Sequence, residues 1–198
     1  MKDIMTTPGI PVKLDANVKD SLKYLTVEEL QQYQKAIQYP FAFASINFNG
    51  DLNLGVSIRS AVIFGASDYF IFGNKVYDKR STVGAHNYIN IHKIKTEIVN
   101  FDIDRDVVIN TLTEHGYTPV AVEQNYRYTI RELCEEYNNN NNFKPCFIMG
   151  NEGYGLSKKF IGEMMCVDIP QYGVIRSLNV SAASSIIAYE WRTSKERS

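Results

Sequence analysis

Cysteine and histidine are scarce in this chain, and the few present are scattered. Cys134, Cys146 and Cys166 form neither a CxxC pair nor an even set for a disulfide framework, which points to buried or free thiols in a reducing compartment. His86, His92 and His115 fall into no HxxxH or clustered Cys/His spacing, so no bound metal is expected. No apolar run approaches the ~20 residues needed to cross a bilayer, and no secretory signal pattern opens the chain. These absences lead to the expectation of a soluble, cytoplasmic protein with no membrane partner. A surplus of one charge is missing too, the formal net charge being −1. No global basic field announces a nucleic-acid partner, and any such contact must come from local basic patches or be shared across an oligomer.

What is present suffices for a full core. Of 198 residues, 44% are apolar and 12% aromatic, which argues against disorder and for one medium domain with a small appendage. The appendage is expected at residues 1–39, an irregular arm with Pro8, Gly9 and Pro11 followed by a helix, and the main domain at 40–198. The helix should cover residues 18–38, with Leu22, Leu25, Leu30, Tyr33 and Ile37 on its apolar face. Thr26 with Glu29 makes a capping box that would split it in two. Pro40 ends it, and residues 41–48 read as the first core strand. Strand and helix then alternate. Helices are predicted over 53–65 and over 104–115, the latter closed by Gly116. Strands are predicted over 68–72, 118–122, 145–149 and 166–169. Ser157 caps a helix turning Phe160, Ile161, Met164 and Met165 inward. A last helix over 179–195 packs Val180, Ala183, Ile187 and Trp191. The pattern implies an α/β fold, a mostly parallel sheet flanked by helices. Asn138 to Asn142 form a polyasparagine run, read as a solvated loop.

Three polar, glycine-bearing segments stand where buried strands end or helices begin, the places where open α/β folds build ligand sites. The first is Asn53-Leu54-Gly55-Val56-Ser57-Ile58-Arg59-Ser60-Ala61. Asn53 can cap a helix and Gly55 allows close backbone approach, while Arg59, six residues on, meets Asn53 only by curling back. A capped helix with a solvated arginine explains the segment equally well. The second, Gly150-Asn151-Glu152-Gly153-Tyr154-Gly155-Leu156-Ser157, has the wrong order for GxGxxG and lacks the Lys-Ser/Thr of a P-loop. A turn needing φ > 0 accounts for its glycines but not for Asn151 and Glu152. The third runs from Asp168-Ile169-Pro170-Gln171-Tyr172-Gly173 into Arg176-Ser177-Leu178-Asn179-Val180-Ser181, where Ser177 and Asn179 are helix caps or site residues. No GxSxG exists and no histidine stands near in sequence, so a serine hydrolase is poorly supported.

In order and spacing, Asn-x-Gly-x-x-x-Arg-Ser-Ala, Gly-Asn-Glu-Gly-x-Gly-Leu-Ser and Ile-Pro-Gln-x-Gly-x-x-Arg-Ser-Leu-Asn-Val-Ser closely resemble the three motifs of the SpoU/TrmH family. That family is a branch of the SPOUT superfamily of RNA methyltransferases, and the resemblance covers residues 41–191. It implies transfer of a methyl group from S-adenosylmethionine to a ribose 2′-hydroxyl of tRNA or rRNA, by a homodimer with sites at its interface. It also implies a deep C-terminal trefoil knot made by the loops after Val122, Met149 and Ile169, with the final helix threaded through. True knots are exceptional, and nothing in the composition predicts one.

By the same resemblance the cofactor lies bent against Gly150, Ile169 and Leu178, with Glu123 on the first knot loop and Met149, Asn151 and Gly155 completing its surroundings. Arg59 matches the residue taken in the family to activate the ribose hydroxyl. An arginine is a poor general base, so a phosphate-assisted proton transfer or charge stabilisation is easier to defend. Asn53 is implied to hold Arg59 or the ribose, Glu152 and Asn151 to order the site, and Ser177 and Asn179 to complete it. Lys79, Arg80, Arg176 and Arg192 are candidate RNA contacts, Arg176 and Arg192 being expected near the site end. The form of the third motif is similar to that of enzymes methylating a guanosine in the tRNA D-loop, which favours tRNA over rRNA. The segments flanking the domain are shorter than the RNA-binding appendages of many relatives. Two other readings compete. One is an RNA-binding relative that has lost catalysis, against which the survival of Asn53, Arg59, Glu152, Ser177 and Asn179 argues. The other is a nucleotide-dependent oxidoreductase, which lacks both the early glycine fingerprint and an acidic ribose partner.

Overall fold

The computed structural model describes residues 17–46, 48–99, 102–126, 128–137 and 139–196. The expected N-terminal arm, up to residue 16, and Asn138 of the polyasparagine run lie outside the described residues. The strands are β1 (Tyr39–Ile46), β2 (Ala66–Phe72), β3 (Asn90–Ile94), β4 (Ile98–Val99), β5 (Asp102–Ile103), β6 (Thr118–Val122), β7 (Pro145–Met149) and β8 (Cys166–Val167). The helices are α1 (Val27–Ile37), α2 (Asp51–Ile63), α3 (Lys79–Thr82), α4 (Arg105–Glu114), α5 (Ile130–Tyr137), α6 (Lys158–Ile161) and α7 (Val180–Ser194).

Six strands form one sheet in the order β3-β2-β1-β7-β6-β8, with every neighbouring pair parallel. β4 and β5 make a separate antiparallel pair. From Phe41 to Ile46, β1 is buried without a break, as a central strand covered on both faces must be. Side chains alternate between two cores. Phe41, Phe43, Tyr69, Ile71 and Phe147 pack with Leu54 and Ile58 of α2 and Ile187 and Trp191 of α7. Ala42, Ala44, Phe70, Phe72 and Ile148 face Val108 and Leu112 of α4 and Phe160 of α6.

Several boundaries differ from expectation for identifiable reasons. The first helix begins only at Val27, because Thr26 and Glu29 close a reciprocal capping box there. Ahead of it stands a single 3₁₀ turn, Asp20–Leu22. Pro40 lies inside β1 rather than before it. In α2, Gly50 occupies the N-cap, so Asn53 is not the cap but a first-turn residue with its side chain released for other partners. The helix after Ser157 stops at Ile161, where Gly162 turns the chain at φ +52°. Met164 and Met165 therefore lie beyond the helix. β8 is two residues shorter than expected and ends at Val167. Gly116 does close α4, at φ +79°.

β1 is the strand from which the chain first builds outward to β2 and β3. Its other neighbour, β7, arrives late in the sequence. The carboxyl ends of β1 and β7 therefore flank a topological switch point, where open α/β sheets leave a crevice.

Candidate active site

β7, β6 and β8 end side by side, and the segments leaving them enclose a cavity of about 360 Å³. Glu123, Asn125, Gly150 to Gly155, Ile169, Gln171 and Arg176 to Leu178 line it, with Val122, Met149, Val180 and Ala183 as its apolar floor. Gly150 is required by space, since a Cβ there would run into the carbonyl carbon of Gly155. Gly155 is required by conformation, at φ +66°, and its Cβ would overlap Oε2 of Glu123. Only one of the segment's glycines therefore needs the left-handed region that the sequence suggested for all of them. Asn151 stiffens the turn from within. Its Oδ1 accepts from the Gly153 N–H (2.8 Å) and the Tyr154 N–H (3.3 Å), and its carbonyl accepts from the Gly155 N–H (2.8 Å). Glu123 joins two loops, accepting from the Leu156 N–H at 2.6 Å and from its neighbour Gln124 at 2.9 Å.

A polar chain runs along the switch point. Glu152 accepts the Asn49 N–H (2.6 Å), the Gly50 N–H (3.1 Å) and the Asn53 Nδ2–H (3.0 Å). Burial pushes its carboxyl upward, but these donors together with its own backbone amide outweigh that and hold it below the usual glutamate range. Asn53 Oδ1 in turn accepts from Asn179 Nδ2 at 3.0 Å. Asn179 caps α7, its Oδ1 taking the Ser181 N–H (2.9 Å), the Ser181 hydroxyl (2.5 Å) and the Ala182 N–H (3.3 Å). Each amide is thereby fixed in orientation by its neighbour. Below the cavity, burial and the nearby charge of Glu123 push the Cys166 thiol up to about 12, so it stays protonated and is no nucleophile.

The structure brings together Asn53, Glu152 and Asn179 by direct bonds, and places Ser177 on the cavity wall. The expected cofactor set, Glu123, Met149, Gly150, Asn151, Gly155, Ile169 and Leu178, lies on one cavity. Arg59 is not brought in. It is half-buried on α2, outside the cavity lining and without a hydrogen bond to Asn53. Asn53 holds Glu152 and Asn179 instead. Among the basic candidates, Arg176 lines the cavity, while Lys79 and Arg80 stand exposed on α3. Arg80 is folded onto Asp78, with its Nε 3.1 and 3.0 Å and its Nη2 2.8 Å from that carboxylate. Arg192 departs from expectation most clearly. It lies at the opposite end of the sheet, its guanidinium 4.0 Å over the Tyr39 ring at the start of β1, because the length of α7 carries it away from the site. Asn49, Gln124, Asn125 and Tyr154 belong to the site and were not foreseen. An Asn-Gly pair between strand and helix was the available signal for Asn49.

A cavity at the carboxyl ends of a parallel sheet, floored by apolar groups and glycine backbone and edged by a fixed carboxylate and amides, defines a small-molecule site of the open α/β class. The model of the SpoU rRNA Methylase family matches residues 40–189, and the chain belongs to that family. A tRNA (guanosine(18)-2'-O)-methyltransferase of Mus musculus is 25% identical over 153 residues, 70% of this chain but 8% of the mouse protein. This chain thus spans under a tenth of that relative's length. The TrmH/SpoU tRNA modifying enzyme of A. aeolicus superposes with a TM-score of 0.68 at 22% identity, covering 87% of this chain and 86% of that one. An AdoMet-bound rRNA methyltransferase of Sinorhizobium meliloti gives a TM-score of 0.61 at 26% identity, covering 79% of this chain and 57% of that one.

Proposed function

We propose that this protein is an S-adenosylmethionine-dependent RNA methyltransferase acting on a ribose 2′-hydroxyl, with a tRNA guanosine as the preferred target. The observation that carries the reading is the glycine-floored cavity edged by the Glu152–Asn53–Asn179 chain. The mouse relative acts on a tRNA guanosine by its name, and the Sinorhizobium protein is solved with AdoMet. Both support the choice of substrate and cofactor.

The cavity fits such a cofactor. Its volume falls within the ~300–1,000 Å³ of small-ligand sites. Gly150 and Gly155 leave bare backbone where any Cβ would intrude. Backbone at Met149, Gly150, Ile169 and Leu178 would hold it, with Glu123 and Asn151 keeping those loops in register. The cofactor supplies an electrophilic methyl group. The protein's part is positioning, which suits an in-line displacement. Ser177 offers a hydroxyl that no described residue engages, and Asn53 and Asn179 present amides whose directions are already set.

Arg59 sits about 9 Å further along α2 than Asn53, at ~1.5 Å rise per residue. As a cation it serves to stabilise developing charge rather than to take the proton. Its position outside its own cavity supports a homodimer in which α2 of one copy serves the site of the other. An exposed apolar stripe, Leu52, Val56 and Ile63 on α2 with Ile186 and Tyr189 on α7, supplies the contact surface. The knot implied by the family is part of the same proposal.

Calorimetry with S-adenosylhomocysteine, using NADH as control, tests the cofactor site. Binding of the homocysteine compound alone, followed by 2′-O-methyl transfer to an unmodified tRNA transcript, is expected. Gly150→Ala should abolish that binding. A wild-type protein that binds the compound and RNA but transfers no methyl to tRNA or rRNA would be the catalytically silent relative instead.

A further inference from the structure

Two exposed tyrosines, one lining the cavity and one adjoining its lining in sequence, stand on segments of opposite character. Tyr154, 64% exposed, lines the cavity from the apex of the turn that Asn151 braces from within. Tyr172 is 96% exposed, next to the lining residue Gln171, on the segment joining β8 to α7. Every residue from Gln171 to Asn179 is exposed, and the aliphatic side chains there follow suit, Val174 at 100% and Ile175 at 76%. No described backbone hydrogen bond links the segment's interior to the rest of the chain. Within it lies Arg176, which lines the cavity and makes no ion pair with any described residue.

An aromatic ring held fully in water gains nothing for folding. Rings flanking a ligand cavity beside an unpaired cation have the composition of a single-stranded nucleic-acid contact, where bases stack on aromatic faces and a cation meets the phosphate. A ribose 2′-hydroxyl reaches a recessed cavity only if its nucleotide leaves the stack, and the extruded base then needs a replacement partner. We infer that Tyr154 and Tyr172 form the two sides of a nucleobase-stacking mouth over the cavity. An unpaired RNA nucleotide is its occupant, and Arg176 meets the adjoining phosphate. Tyr154 is the fixed face and the Tyr172 segment the one that closes onto the base. This rests on the RNA methyltransferase reading and extends it to how the target nucleotide is seized. Because every base presents a π-face, the mouth grips without choosing among bases. A second copy of the chain is the less suitable occupant, since the stripe on α2 and α7 already offers it an apolar surface.

The test compares the wild-type chain with Tyr172→Ala, Tyr172→Phe and Tyr154→Ala. Affinity for a fluorescein-labelled, unmodified tRNA transcript is read by anisotropy, which needs no turnover. S-adenosylhomocysteine binding is read by calorimetry and mass by light scattering. Each alanine variant is expected to weaken RNA binding about ten-fold, in line with the loss of one stacked base, and Tyr172→Phe to recover most of it. Tyr172→Ala should leave the mass and the affinity for S-adenosylhomocysteine unchanged. Unaltered RNA affinity in both alanine variants overturns the mouth while leaving the cofactor site intact. A drop in mass on Tyr172→Ala overturns it differently, assigning the ring to a second copy. A wild type that binds the transcript but not S-adenosylhomocysteine refutes the methyltransferase reading and leaves the stacking surface standing.

Discussion

Three donors converge on one carboxylate at Glu152, two of them backbone amides of the segment after β1. Removing the acceptor leaves those amides, on the exposed Asn49 and the half-buried Gly50, to water, a net loss of about 0.5–1.5 kcal/mol per bond, and frees Asn53 to turn away from Asn179. Glu152→Ala should therefore lower both stability and methyl transfer, whereas Glu152→Gln keeps an acceptor and loses only the charge. The acid dependence follows from the sign of the shift. The folded-state pKa lies below the ordinary 4.5, so the stabilisation is fully present above that value and disappears as pH falls through the lower folded one. Thermal melts from neutral to acid pH should show this slope in wild type and a shallower one in Glu152→Gln. An identical slope would remove Glu152 from the account. At this scale the motifs named Asn53, Glu152, Ser177 and Asn179, which the structure gathers at one candidate site. They could not say that Asn53 pairs with Glu152 and Asn179 rather than Arg59, because that depends on Gly50 starting α2 and shifting every side chain of its first turn.

Beside their shared apolar core, α2 and α7 are joined by a row of hydroxyls. Ser57 Oγ donates to Ser184 Oγ (2.9 Å) and accepts from the buried Tyr69 hydroxyl (2.8 Å). Ser60 and Ser185 approach to 2.7 Å. Such small residues let the helices lie close, and Gly55 does the same for α3, since a Cβ there would overlap Ser81 Oγ and stand 2.9 Å from the Asp78 carbonyl. Ser57→Ala should destabilise by about 1–3 kcal/mol, a Tm loss of several degrees by differential scanning calorimetry, because the Tyr69 hydroxyl is left buried without its acceptor. A melt matching wild type would mean that the hydroxyl finds another partner. Elements with a long apolar face or a full apolar run were legible in the sequence. β3 was not, because Asn90, His92 and Lys93 interrupt its pattern at the edge of the sheet. α5 was missed although Thr129 and Glu132 carry the reciprocal cap that marked α1, since its eight residues leave too short an apolar face to notice.

For the molecule as a whole, the proposed dimer, in which Arg59 serves the partner's cavity, would make the oligomeric state a functional quantity. Light scattering should give twice the 22.6 kDa chain mass. Ile63→Asp combined with Ile186→Asp should yield a monomer that still binds S-adenosylhomocysteine yet transfers methyl groups at least ten-fold more slowly. A fully active monomer would end the shared-site reading. The sheet order has a further consequence, for the making of the chain. β1 pairs with β2 some twenty-five residues on, but Ala42 to Ser45 meet Cys146 to Met149 only about a hundred residues later. At synthesis rates of roughly 5–20 residues per second, a run of phenylalanine and alanine waits for about 5–20 seconds with one edge unclaimed. Such an edge is a template for the wrong strand. The nascent protein should accordingly depend on chaperones until β7 emerges, and yield on expression should fall with temperature sooner than the stability of the finished fold would require.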